Sequence, residues 1–194
     1  GSMTSERAMP LLGFYSSSKQ AVKGFTDAFR MELEKVDAPV CVTLIRPGSI
    51  DTPFTEHARN FMDSEPALPP PVYQPETVAR AVLHCAEKPT RDLDVGGSAR
   101  MFAAWEHTAP RSLDRYMEAT MFDQQKKNGM AATPDDNLYD SASIDRYRER
   151  GNHDGYVMRT SAYTQAAMHP VVTIAATAAA VVALGTGISR IMRD

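Results

Sequence analysis

Tyr15 and Lys19, four residues apart in the run GFYSSSKQAVKGFTDAFRMELE, are the first residues of this chain able to do chemistry together. On a helix, positions i and i+4 emerge on one face about a turn apart. A free tyrosine ionises near about pH 10 and is a weak base at neutrality, but an adjacent ammonium favours the phenolate. Such a pair can take a proton from an alcohol or return one to a carbonyl. A bare YxxxK also recurs by chance, as a helix-start aromatic followed by a surface lysine, so its weight depends on the elements around it.

Those elements follow a clear order. Val22, Phe25, Phe29 and Leu33 recur at helical spacing between Tyr15 and Glu34 with no proline among them, which predicts one long helix. After the break at VDAP, the segment VCVTLI (40–45) is rich in β-branched residues with apolar side chains on both parities, as in a strand buried on both faces. It stops at RPGS, where Pro47 and Gly48 punctuate the chain. A helix followed by a doubly buried strand is the rhythm of a parallel sheet with crossover helices, so the fold class is α/β. TPFTEHARNFM reads as a short helix, and DSEPALPPPVYQP is rich enough in proline to be an extended loop. PETVARAVLHCAEKP predicts a second amphipathic helix with Val78, Ala79, Val82, Leu83 and Ala86 on its apolar face. RDLDVGG reads as a brief strand, and residues 98–125 as one or two helices broken near Pro110. From Asn128 to Gly155 the chain is polar and aspartate-rich with little periodicity, as in a mobile linker.

Composition limits the partners. The chain has 194 residues, 43% of them hydrophobic, enough to bury a core, and one domain is the default. A net charge of −3 offers no basic field for nucleic acid. Cys41 and Cys85 lack CxxC or histidine spacing and sit in apolar surroundings, which predicts buried free thiols, no metal site and a reducing compartment. The opening GSMTSERAMP is polar and reads as no secretory signal. Val171 to Ile188 carries no charge and is followed by Arg190 and Arg193, which just reaches the lower limit of a membrane span. The alternative for this segment is an alanine-rich helix packed on the protein or a partner.

YSSSK opening a long helix, then a strand, then RPGSIDTPF, resembles the catalytic half of the short-chain dehydrogenase/reductase (SDR) family, classical type. The resemblance implies the C-terminal half of a Rossmann-like doubly wound parallel sheet, followed by helices and a C-terminal hydrophobic helix. With the composition of the remaining chain, the divisions would be a catalytic half over 1–125, a polar linker over 126–165, and a hydrophobic helix over 166–194 that is either a membrane anchor or the packed alanine-rich helix described above. It implies an NAD(P)-dependent oxidoreductase that interconverts a carbonyl and a secondary alcohol. Tyr15 would be the acid/base, and Lys19 would tune it and hold the nicotinamide ribose. Ser2, thirteen residues before the tyrosine, would hold the substrate oxygen, with Ser5 a substitute only if the loop is displaced. Pro47, Gly48, Ile50 and Thr52 would form the turn against the cofactor, with Ile50 and Thr52 facing the carboxamide. The segment Phe54 to Tyr73 would cover the substrate, with Phe54, Phe61, Met62, Leu68, Val72 and Tyr73 as an apolar lining for a hydrophobic ketone or alcohol. His57 and His84 take no role. Cytoplasmic location, with membrane association through 171–188, and a homo-oligomer in the full-length protein complete the expectation.

The departures matter as much. The family's GxxxGxG phosphate loop, the residue that reads the adenosine ribose and the asparagine of the proton relay do not occur in these 194 residues, and DVGGSAR reads as a turn. The choice between NAD and NADP is therefore open, and Arg46 is on the wrong side of the cofactor to decide it. The expectation is an N-terminally truncated chain, inactive alone, with an open sheet edge and uncovered apolar helix faces. The alternative is a non-catalytic, membrane-associated interaction module built on an SDR-like half-domain.

Overall fold

The structure is a computed structural model that describes residues 1–128, 137, 139 and 148–191, with backbone alone for 182–191. In chain order it contains a 3-10 turn (Met3–Ser5), α1 (Gly13–Lys35), β1 (Leu44–Pro47), β2 (Ser49–Ile50), α2 (Phe54–His57), β3 (Val72–Tyr73), α3 (Pro75–Glu87) and β4 (Asp92–Val95). It continues with α4 (Gly97–Thr108), α5 (Pro110–Gln124), β5 (Val157–Met158), α6 (Ala162–Met168) and α7 (Pro170–Ile191). Every strand pairing among these elements is parallel: β1 with β4, β2 with β3, and β3 with β5. Between β1 and β4 the chain passes through α3, the crossover expected of an α/β fold.

The strand expected over 40–45 forms later and shorter. Its ladder runs from Leu44 opposite Asp92 to Pro47 opposite Val95, so the four residues of β4 set its length. Val40 and Cys41 are exposed, which corrects the expectation of two buried thiols; Cys85 is the buried one. The Val42 carbonyl is taken by Arg30 Nε at 3.1 Å instead of by a neighbouring strand. In the proline-rich loop, Val72 and Tyr73 form a strand because they fall between the partners β2 and β5. The expected break near Pro110 is where α4 gives way to α5.

Two helices bury faces other than their apolar ones. α1 buries Ser16 and Arg30, while Phe25 is 70% exposed and stacks on Phe29 with ring centroids 5.6 Å apart. α3 buries Thr77, Ala81 and Cys85, spaced four apart: Ala81 and Cys85 pack with Leu93 and Val95 of β4, and Thr77 Oγ1 donates to the Arg159 carbonyl at 3.2 Å. Small side chains on that row let the helix approach the strand closely, and the expected Val82 and Leu83 face outward, Leu83 at 66% exposure. The second core cluster joins the N-terminal loop to α4 and α5 through Met3, Met9, Phe102, Leu113, Met117 and Met121.

β4 ends at Gly96, whose φ of +105° is a backbone conformation that L side chains rarely adopt. A Cβ there would also stand 2.8 Å from Tyr73 Cε2. The Gly96 amide donates to Thr164 Oγ1 at 2.9 Å, so DVGGSAR is a strand-to-helix turn, as its sequence reads.

The segment read as a linker over 126–165 is not wholly so. Val157 and Met158 pair with β3, and α6 begins at Ala162. Residues 129–136, 138 and 140–147 of that segment lie outside the described residues. The hydrophobic C-terminal helix forms, but the expected membrane span over Val171–Ile188 gains no support. Among the described residues no helix is long and apolar enough to cross a membrane. The side chains beyond Val181, including Arg190, and all of Arg193 lie outside the description.

Candidate active site

The loop before α1 carries the first candidate. Ser2 is buried and caps the 3-10 turn: its Oγ accepts from the Thr4 amide at 3.2 Å. That bond occupies a lone pair and leaves the hydroxyl proton free to donate. Ser5, the proposed substitute, is committed elsewhere. Its Oγ accepts from the Ser2 amide at 3.1 Å and donates to the Lys19 carbonyl at 2.8 Å.

Three consecutive residues thus pin this loop to different elements. Ser5 reaches α1; Glu6 pairs with Arg46 of β1. Arg7 bonds Glu106 of α4 at 2.6 Å and Asp114 of α5 at 2.5 Å. The serines of YSSSK divide similarly. Ser16 Oγ accepts from the Met9 amide at 3.3 Å, whereas Ser17 and Ser18 donate back to carbonyls of their own helix.

Tyr15 and Lys19 rise from the first turns of α1 as the spacing requires. Lys19 Nζ lies 5.3 Å from the centroid of the Tyr15 ring, and the ring packs against Phe54 at 5.4 Å. Among the described residues neither the Tyr15 hydroxyl nor the Lys19 ammonium has a hydrogen-bond or ion-pair partner. Opposite them, β1 ends in the Pro47–Gly48 turn, whose Gly48 amide donates to the Val95 carbonyl at 2.9 Å. Gly48 packs so closely that a Cβ would come 3.1 Å from Ser98 Oγ.

Ser2, Tyr15, Pro47, Gly48, Ile50 and Thr52 all line one cavity of about 270 Å³. Lys19 stands outside its wall, against the tyrosine. Of the apolar residues expected to line it, Phe54 and Leu68 do. Phe61 points to solvent at 87% exposure, Val72 and Tyr73 are buried in β3, and Met62 is half-buried away from the cavity. Sequence reasoning missed Met3, Met9 and Leu12, which add apolar wall from the loop between Ser2 and Tyr15. Their signal was available: MPLL is an apolar run that neither helix nor strand periodicity explains.

An ionic layer lies beneath the Pro47 turn. Arg46 Nε donates to Asp94 Oδ1 at 2.8 Å, across a pair of directly opposed strand residues, with Arg46 8% and Asp94 4% exposed. Burial alone would lower the Arg46 pKa, but Asp94 and then Glu6 outweigh it and hold the guanidinium above its ordinary value. On α1, the hydrogen bond from Lys23, with Arg91 and Arg30 nearby, holds the Asp27 carboxyl below the usual range against a smaller opposing effect of burial. No group of three or more histidine, cysteine or acidic side chains suited to a metal occurs among the described residues.

The same region is where the chain matches known proteins. The short chain dehydrogenase family model matches residues 1–63, which include Ser2, Tyr15, Lys19 and the Pro47 turn. A Bacillus subtilis (strain 168) protein named uncharacterized oxidoreductase YxnA is 40% identical over 182 residues, 92% of this chain and 50% of that protein. The chain is similar to short-chain dehydrogenases, through the family model over residues 1–63 and through this relative over 182 residues. Human dehydrogenase/reductase SDR family member 11 is 33% identical over 96 residues, 45% of this chain and 36% of that protein. A solved short chain dehydrogenase from Burkholderia cenocepacia J2315, in complex with NADP, aligns with a TM-score of 0.49 at 25% identity, over 60% of this chain and 44% of that one. This chain spans half or less of the length of the two curated relatives named here.

Proposed function

We propose that this chain carries the proton-transfer and nicotinamide-facing part of an NAD- or NADP-dependent oxidoreductase that interconverts a hydrophobic ketone and its secondary alcohol. The observation that carries the reading is the convergence of Ser2, Tyr15 and the Pro47–Thr52 turn on one cavity, with Lys19 against the tyrosine ring. These residues fit the nicotinamide end of such a cofactor. Tyr15 and Lys19 have polar atoms without partners among the described residues, and the Pro47 turn faces them across an open space. The cofactor, when bound, supplies the hydride.

The chain's own residues do the rest. In the reducing direction Tyr15 delivers its phenolic proton to the carbonyl oxygen as that oxygen gains negative charge. Ser2, its lone pair held by the Thr4 amide, donates its hydroxyl proton to the same oxygen and stabilises the developing alkoxide. Lys19 keeps a positive charge beside the phenol and has donors free for the ribose hydroxyls. Pro47, Gly48, Ile50 and Thr52 bound the nicotinamide side, while Met3, Met9, Leu12, Phe54 and Leu68 give the substrate side an apolar wall that excludes water.

Tyr15→Phe, made in the polypeptide that carries this chain, tests the assignment. Ketone reduction is expected to fall by about 10²–10⁴-fold, with the dissociation constants of NADH and NADPH nearly unchanged. Retained turnover would refute it.

A further inference from the structure

We infer that Ser5 is a positioning residue for the reaction, a hydroxyl strut that fixes the oxygen-holding Ser2 against the helix carrying Tyr15 and Lys19. The inference rests on the function proposed above and adds a residue to it. Ser5 is 4% exposed and lies outside the cavity wall, so it touches no reacting atom. Its single hydroxyl closes a two-bond bridge, accepting from the Ser2 amide and donating to the Lys19 carbonyl.

The bridge joins the two halves of the site at their backbones. Ser2 sits at the head of the 3-10 turn, and its orientation is set at both ends: its Oγ is held by the Thr4 amide and its amide by Ser5. Lys19 follows Tyr15 by one helical turn, so a bond to the Lys19 carbonyl refers the loop to the same rigid helix that aims the phenol. Of the nearby pins, Arg7 turns toward α4 and α5, and Glu6 bonds Arg46 of β1 and meets Lys23 of α1 at 3.9 Å, an ion pair from its side chain that does not hold the Ser2 amide. The Met9 amide bond to Ser16 holds the far end of the loop, seven residues beyond Ser2. Without the Ser5 hydroxyl the Ser2 amide loses its partner, and among the described residues no other hydrogen bond links Ser2 to α1.

Two measurements test the strut. The first is hydrogen exchange read by mass spectrometry on Ser5→Ala, which needs neither substrate nor cofactor. Exchange in the peptide 1–9 is expected to speed up on the order of tenfold, while α5 peptides keep the wild-type rate. The second is a kinetic cycle with Ser2→Ala, using acetophenone with NADPH and with NADH. Ser5→Ala is expected to lower kcat by about ten- to hundredfold with KM little changed, and to cost almost nothing further once Ser2 is alanine. Ser5→Cys, close in size with a weak donor, gives the same pattern and serves if the alanine variant fails to fold.

Unchanged exchange in 1–9, exchange raised throughout the chain, or a kcat loss repeated undiminished on Ser2→Ala would each overturn the strut. If Tyr15→Phe keeps its turnover the proposed function fails, yet the exchange measurement still reads the bridge itself.

Discussion

Arg46→Ala is the substitution whose cost is best determined by the structure. The guanidinium is 8% exposed and answers two carboxylates, Asp94 at 4% exposure and Glu6 from the N-terminal loop. Removing it leaves a buried negative charge on Asp94 that no other cation meets at bonding distance among the described residues. Breaking one side of such a pair costs about 3–5 kcal/mol, because the remaining ion keeps its desolvation penalty and loses its partner. With a denaturant slope of about 2 kcal/mol/M in urea, that lowers the unfolding midpoint by about 1.5–2.5 M. The assay is equilibrium urea unfolding followed by far-UV circular dichroism. A control separates charge from shape: Arg46→Met combined with Asp94→Leu and Glu6→Gln removes the ions together and is expected to recover most of the loss. A loss below about 1 kcal/mol for Arg46→Ala, the size of an exposed pair, would refute the claim that this layer is dry and holds the loop to β1.

Two further outcomes follow from single contacts. Asp27 and Asp114 have folded pKa values below their unfolded ones, through hydrogen bonds from Lys23 and from Arg7 respectively. The unfolded state therefore binds protons first as pH falls, so their contribution is fully present above the ordinary value of about 3.9 and is lost as pH drops through the lower folded values. Thermal melting between pH 6 and pH 2.5 is expected to show a shallower fall for Asp27→Asn with Asp114→Asn than for the parent. Gly96→Ala meets both a φ of +105° and a Cβ position 2.8 Å from the Tyr73 ring, and is expected to cost about 1–3 kcal/mol in the same unfolding assay. A neutral Gly96→Ala would mean that the β4 to α4 turn adapts freely.

The candidate site was legible because covalent spacing carries it. Tyr15 and Lys19 share a face by the helical period alone, and the Pro47–Thr52 turn stays beside its strand, so Tyr15 and the turn meet at the cavity with Lys19 against the ring outside its wall. Ser2 was placed by its distance from Tyr15, and the loop between them closes as that distance requires. What could not be read is whatever depends on partners remote in sequence. Arg46 and Asp94 are opposed only because β1 and β4 pair in one register, and nothing local to either residue announces that. Ser5 read as a substitute for Ser2 only in a displaced loop, and nothing local to it announces its bond to the Lys19 carbonyl.

The misread helix faces have a common physical origin. Periodicity reports which side of a helix is apolar, but not which side meets the sheet. On α1 the buried positions are Ser16, whose Oγ accepts from the Met9 amide of the N-terminal loop, and Arg30, whose guanidinium donates to the carbonyls of Val42 and Arg91 just before β1 and β4. A buried arginine can do this because its planar head satisfies strand ends that carry free carbonyls. On α3 Ala81 and Cys85 are small enough to sit on β4, and Thr77 turns its hydroxyl to the Arg159 carbonyl. In both cases the larger apolar row, Phe25 with Phe29 on one helix and Val82 with Leu83 on the other, stands on a different side. Hydrophobic pattern thus located the helices correctly and oriented them incorrectly, and the proposed catalytic pair escaped that error because Tyr15 and Lys19 were placed by a motif instead of by an apolar face.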